Sequence, residues 1–343
     1  MNYLGSKTRL IEPLIQRAVD DLGLTSGKFL DAFAGTHAVG IAMQSRGWSV
    51  YANDIQSYSY HIGRAKLNTT PLEFKSLGGS IFDKDTPIAD RLALVVYRLN
   101  FMEYPKHNDW FWNNYCENGS AGRLYFSARN GAVIQTARNL IDSWDLTSLE
   151  RSVLIAAVIE GADKIANVAT VYYSYLKKLK PSAKRDILIA PIDLAKGLEA
   201  HVSSLDVIDF VGSVKGADVL YLDPPYNARQ YAGYYHMLET IALWDNPTIA
   251  GVGGVRPWSD KKSDWCNREG AIRALRHTWS ATDAKVIMLS YSSDGLMTDD
   301  DIMDILTQCG TVTRLDQPYR RLKTKESDQD RDVYEYLYIC NRS

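Results

Sequence analysis

Cysteine is scarce: Cys116, Cys266, Cys309 and Cys340 are the four in 343 residues, with no Cys-x-x-Cys pair and no histidine at zinc-ligand spacing. That excludes a disulfide framework and a structural zinc site, and is expected of reduced thiols in a cytoplasmic protein. Charge of one sign is also lacking. With 39 Lys and Arg against 41 Asp and Glu the formal net charge is −2, so contact with a polyanion must come from local patches. No apolar run approaches a membrane span, and the opening MNYLGSKTRLIEPLI has no signal-type apolar core, so no membrane is expected as a partner. Repeats and low-complexity segments are missing too. What remains is the composition of an ordinary globular protein, 45% hydrophobic and 23% charged, long enough for one large domain with an insertion or for two domains.

The most informative stretch is DVLYLDPPYNARQY, 218–231. Val219, Leu220, Tyr221 and Leu222 form a short apolar run that reads as a buried parallel strand. At its carboxyl end stand Asp223, Pro224, Pro225 and Tyr226, where open α/β sheets place their ligand crevice. Two successive prolines fix φ and remove two N–H donors, leaving the Asp223 and Pro224 carbonyls unclaimed by a helix. A carboxylate, a neutral carbonyl and a flat ring in sequence suit a planar substrate that carries an NH₂ group. Taken alone, a strand-ending turn with a packed tyrosine would look the same.

KFLDAFAGTHAVGIAMQSRGW, 28–48, reads as strand, glycine loop and helix, and the helix start offers unpaired N–H groups. It is not the Gly-x-Gly-x-x-Gly dinucleotide fingerprint, because His37 stands where a second glycine is expected. Asp31 at the strand end would repel a pyrophosphate and welcome an ammonium group. A second strand, Trp48 to Ala52, ends at Asn53-Asp54, with an acid placed for a ribose diol. Asp31, Gly35 and Asp54 together suit a nucleoside with a cationic appendage and no phosphate, the shape of S-adenosylmethionine. Asp206 offers a further acid, either for the donor's adenine or as a plain helix cap.

From about 87 to 185 the periodicity is helical, in PIADRLALVVYRLNF, NGAVIQTARNLIDSW and TSLERSVLIAAVIEGADKIAN. The sheet is expected to resume at Ile187-Leu188-Ile189. TVYYSYLKKLKPSAKRD, 170–186, has a local excess of four positive charges beside three tyrosines; it reads either as a solvated amphipathic helix or as a phosphate-backbone contact. The loop DNPTIAGVGGVRPWSDKKSDW, 245–265, is long enough to be expected as a mobile flap. His236 and Glu239 are expected to serve packing and surface rather than a metal. The final stretch reads as an antiparallel hairpin closing the sheet edge.

The order NYLGSK, DAFAGTHAVG, ND, helical insertion and YLDPPY resembles, nearly end to end, the α-group DNA adenine-N6 methyltransferases that include the Dam-type enzymes. GRLYFSARNGAVIQTARNLI and LSYSSDG are most similar to the methylases of type II and IIS restriction–modification systems. The resemblance implies a Rossmann-like α/β fold, a mostly parallel seven-stranded sheet with a C-terminal antiparallel hairpin, formed by 1–86 and 186–343, with 87–185 as a helical target-recognition insertion. It implies S-adenosylmethionine as donor, held by Tyr3, Lys7, Asp31, Phe33, Gly35, Thr36, Asp54 and Asp206. It makes Asp223, Pro224, Pro225 and Tyr226 catalytic: two acceptors grip the amine of a flipped adenine and localise its lone pair, while Tyr226 stacks on the base. Double-stranded DNA is the implied partner, with Lys177, Lys178, Lys180, Arg229, Arg256, Arg320 and Arg321 as candidate contacts, and a cognate restriction endonuclease as companion. The family usually has a small residue where this chain has His37. Cytosine N4, an RNA or protein amine on the same fold, and a catalytically silent DNA-binding subunit are the competing readings.

Overall fold

The computed structural model describes residues 5, 7–101, 109–195, 197–319 and 333–342; Tyr3, Arg320 and Arg321 lie outside them. The chain divides into two compact units. The first holds the sheet: β1 (Lys28–Asp31), β2 (Ser49–Asn53), β3 (His201–Ser203), β4 (Val219–Leu222), β5 (Val286–Ser292), β6 (Gly310–Tyr319) and β7 (Val333–Arg342). Their order is β3-β2-β1-β4-β5-β7-β6. The first five run parallel, β7 lies antiparallel to β5, and β6 antiparallel to β7. This is the Rossmann-like α/β sheet with a closing hairpin that the sequence predicts.

Every residue of β4 and β5 is buried, which is why their sequences are continuous apolar runs rather than alternating ones. α8 (Val207–Ser213), α11 (Arg268–Ala281) and α12 (Asp299–Leu306) share their core, α2 (Ala38–Ser45) lies against β1 and β2, and α1 (Arg17–Asp21) precedes β1. Leu30, Leu220, Ile287 and Leu289 from the strands meet Phe210, Leu275 and Ile305 from the helices in one core. Successive strands proceed outward in opposite directions from β1 and β4, so the crevice rule points to their carboxyl ends.

The second unit is helical and comprises the described residues of Gln56–Ala195 and Tyr231–Lys261, a wider set than 87–185. Its helices are α3 (Ser57–Lys66), α4 (Ile88–Asn100), α5 (Trp110–Tyr115), α6 (Ala128–Ser143), α7 (Ser148–Ile165), α9 (Tyr231–Tyr234) and α10 (His236–Leu243). The widening has a packing cause: Tyr235, Met237, Leu238 and Ile241 share a core with Tyr58, Ile62 and the α7 residues. Thr147 and Glu150 form a reciprocal capping box at the start of α7. Glu239 accepts from the Ser57 and Tyr58 N–H groups at 3.2 and 3.1 Å and pairs with Lys261, and buried His236 donates to the Tyr172 carbonyl at 2.7 Å.

Three local expectations are corrected. Ile187–Ile189 is not a strand; it runs in the helical unit, where side-chain amides replace a sheet neighbour. Asn130 Oδ1 accepts from Ile187 N at 3.0 Å, and Asn100 bonds both N–H and carbonyl of Ile189 at 2.9 and 2.8 Å. Segment 170–180 contains no helix, because Asn167 ties it as a loop, donating to Leu124 and Leu176 carbonyls and accepting from Lys180 N. The 245–265 loop is tied down rather than loose: Ala250 and Val255 form an antiparallel bridge, and Arg256, 7% exposed, grips Asp245 with two bonds at 3.1 and 2.8 Å. Among the described residues no helix is long and apolar enough to cross a membrane.

Arg138, 1% exposed, ends α10. It donates to the Ile241 and Ala242 carbonyls at 2.7 and 3.4 Å, and its guanidinium lies 5.4 Å from the centre of the Trp244 ring. Arg138→Met keeps the apolar stem but strands both carbonyls, and is expected to lower stability by about 3 kcal/mol. A urea midpoint equal to that of the unaltered protein would refute this capping role.

Candidate active site

Asp31 ends β1 and Asp223 follows β4, on adjacent strands. Asp31 is 1% exposed; its Oδ2 accepts from Gly40 N at 3.2 Å, while Oδ1 is buried and meets no donor among the described residues. A buried acceptor without a donor is costly, so this oxygen calls for a cationic or N–H ligand. The loop after β1 is fastened to the end of β2: Ala34 N donates to Asn53 O at 2.9 Å, and Gly35 N donates to Asp54 Oδ2 at 2.9 Å. Gly35 and His37 have φ of +51° and +61°. This left-handed backbone favours glycine and costs a histidine about 1 kcal/mol, which explains why a small residue would be the ordinary choice. His37 is nevertheless fully buried, and its N–H bonds Ala34 O at 2.6 Å.

Phe33 is half-buried, its ring edge-on to Trp265 at 5.5 Å, and Thr36 is half-buried beside it in sequence. Asp206 is exposed and caps α8 through Ile208 N at 2.9 Å.

At Asp223 a buried cation takes over. Lys7 Nζ lies 3.2 Å from Asp223 Oδ1 and also pairs with Glu335. Glu335 Oε1 accepts from Ser290 Oγ at 2.9 Å. Lys7, expected at the donor, thus reaches the carboxylate after β4. Its ammonium stands 5.7 Å from the Tyr226 ring centre, and that ring meets Tyr291 edge-on at 6.3 Å. The Tyr226 carbonyl accepts from Leu296 N at 3.0 Å, fixing the turn after the prolines. Pro224 is buried, while Pro225 and Tyr226 are half-buried.

Burial pushes the Asp223 carboxyl up to about 7; Lys7 opposes the shift and Glu335 adds to it. Asp31 is pushed up to about 8, chiefly by burial and then by the Asp223 and Asp54 charges. Burial alone would lower the Lys7 ammonium, but Asp223 and Glu335 hold it above its ordinary value. A carboxyl poised near 7 can both accept a hydrogen bond and take a proton.

Sequence reasoning missed Glu335 and Ser290. The signal was present: Glu335 sits between Val333 and Leu337 on the buried face of β7, an acid at an apolar position of an alternating strand. Among the candidate cations, Lys177, Lys178 and Arg229 are exposed. Lys180 donates to Val168 O at 2.7 Å, and Arg256 is buried on Asp245. In this structure Arg256 braces its own loop.

Residues 3–305 match the sequence profile of the D12 class N6 adenine-specific DNA methyltransferases. The chain belongs to this family. Over its whole length it is 32% identical to the type II methyltransferase M.NlaIII of Neisseria lactamica, matching 100% of that protein. It is 29% identical to M.FokI of Planomicrobium okeanokoites, covering all of this chain and 53% of that one. M.CviAII of Paramecium bursaria Chlorella virus 1 is 25% identical, over 99% of this chain and 98% of the other. As a D12 methyltransferase it acts on DNA, and adenine N6 is the amine selected from those the sequence left open. Its donor is S-adenosylmethionine, and the unpaired, buried Asp31 Oδ1 suits the ammonium of that molecule.

These D12 methyltransferase carboxyls also set a pH dependence of folding. A carboxyl whose folded value is raised binds more protons folded than unfolded, so stability falls as pH rises from the unfolded value near 4 through the folded value. For Asp31 and Asp223 that window runs to about 8 and about 7. Asp31→Asn is expected to flatten the decline in ligand-free stability between pH 4 and 8, by on the order of a few kcal/mol. Urea midpoints across that range check it; identical slopes in both proteins would count against a buried, titrating Asp31.

Proposed function

We propose that this chain is an active, site-specific modification methylase in which Asp223 and the Pro224 carbonyl hold the N6 amine of a flipped adenine while Tyr226 stacks on the base. The observation that carries the reading is the buried Lys7 bridge between Asp223 and Glu335 at the carboxyl ends of the sheet. Lys7 engages Asp223 Oδ1, so Oδ2 is assigned to the amine. Two acceptors on the amine hydrogens draw the nitrogen toward tetrahedral geometry and localise its lone pair. S-adenosylmethionine, when bound, supplies an electrophilic methyl group on a sulfonium. As nitrogen gains the methyl it sheds a proton, and Asp223, poised near 7, receives it.

Asp31 is assigned the donor's ammonium, Asp54 its ribose hydroxyls, and Phe33, Gly35 and Thr36 the walls of that pocket. Asp206, exposed at the start of α8, is the candidate for the donor's adenine. Target choice is assigned to the helical unit, whose 170–180 loop carries exposed Tyr173, Lys177 and Lys178. The names of the relatives, type II methyltransferases and modification methylases, support a place in a cytoplasmic restriction–modification system beside an endonuclease that reads the same site.

Asp223→Ala is expected to cut methyl transfer roughly 100- to 1000-fold while donor binding by calorimetry is retained; near-normal turnover would overturn the mechanism. Glu335→Gln removes a charge that raises Asp223, so the acid limb of the kcat profile is expected to move to lower pH. A profile that stays in place would exclude the coupling through Lys7. Long-read sequencing of DNA treated with the purified protein reports the modified base and its context together.

A further inference from the structure

The turn Gly251–Gly254 in the helical unit holds its backbone more tightly than a surface loop requires. The chain reverses across Ala250 and Val255, which exchange two hydrogen bonds of 2.9 Å, and Gly254 N donates to Gly251 O at 3.1 Å. Four consecutive carbonyls then each meet a side chain from the 115–125 segment. Arg123 Nη2 donates to Gly251 O at 3.2 Å and its Nε to Val252 O at 3.0 Å. The Tyr125 hydroxyl lies 2.9 Å from Gly253 O, and the Tyr115 hydroxyl donates to Gly254 O at 2.7 Å. The Tyr125 hydroxyl is equally near Tyr172 O, at 2.9 Å, so its one proton is shared between these two carbonyls.

The glycines are there of necessity. Gly251 and Gly254 have φ of +70° and +62°. A Cβ on Gly253 would stand 2.6 Å from Tyr173 O, and one on Gly254 2.7 Å from Arg123 Nε. The turn therefore displays one side chain, Val252, which is 84% exposed. A lone exposed valine is commonplace; one standing on a backbone whose every carbonyl is gripped is not. Beside it Tyr173, 57% exposed, leads into the loop that carries Lys177 and Lys178.

We infer that Gly251–Gly254 is a preorganised probe that presses Val252 against the base pairs of the DNA substrate. The side chains shown against the turn are the Arg123 guanidinium and tyrosines rather than a wider apolar patch, so the surface suits a nucleic acid better than a protein partner. An apolar tip touches DNA either at a thymine methyl in the major groove or between partly unstacked base pairs. Fixing the turn beforehand removes the ordering cost that a flexible loop would meet on binding. The inference rests on DNA being the substrate, and its test separates the two.

Val252→Asp and Val252→Ala, with the unaltered protein as control, are assayed on a library of unmethylated duplexes of randomised sequence, by tritiated methyl incorporation and by sequencing. Because Val252 is exposed, Tm and donor affinity are expected to stay unchanged. Val252→Asp is expected to lose at least about tenfold in kcat/KM for DNA, and Val252→Ala a smaller factor. If the tip reads a thymine methyl, the modified sites relax at one position, and a library with uracil in place of thymine costs the unaltered protein as much as Val252→Ala. If it wedges a base step, the site set is kept and turnover falls uniformly. Val252→Asp with unaltered kcat/KM and the same sites overturns the proposal and turns attention to a protein partner. A control that methylates no duplex at all defeats the parent reading instead.

Discussion

One ammonium group among three carboxyls governs the sheet's carboxyl end. Lys7 binds Asp223 and Glu335 directly, and Asp31 on the neighbouring strand is raised by the Asp223 charge. Burying so many acids is affordable only because a cation is buried with them. Remove Lys7 and Asp223 and Glu335 are left as like charges facing each other without a buried counter-ion. The geometry of the Asp-Pro-Pro-Tyr turn is thus an electrostatic balance as much as a backbone feature.

Most of the sheet was legible in the sequence, because buried parallel strands are written as short apolar runs that end in polar residues. Phe29–Leu30, Val219–Leu222 and Val286–Leu289 all appear where periodicity places them. Ile187–Ile189 has the same composition but no sheet; the deciding residues, Asn100 and Asn130, lie 89 and 57 positions away. The same limit applies at the site. Asp223 could be read as chemistry because its turn is local. Glu335 shows in the sequence only as an acid at an apolar position of a strand, because its partner Lys7 lies 328 positions earlier.

The loops show a second kind of illegibility. Glycine-rich or charged stretches look mobile in sequence, yet both long loops of the helical unit are held by side chains whose partners are remote in sequence. Asn167 gathers one, and Arg123, Tyr115 and Tyr125 grip the other. Composition reports how freely a segment would move if nothing touched it. Whether anything does is a property of the folded chain.

The position of Glu335 on β7 bears on synthesis. Every other strand of the sheet is made before it, and the donor loop can close as soon as β1 and β2 have paired. Asp223 is in place as a partner of Lys7 once β4 has paired, and the second carboxylate arrives only when the last strand slots between β5 and β6. A nascent chain still emerging from the ribosome holds only the Lys7–Asp223 half of this charge set, and the last-made strand completes it with Glu335.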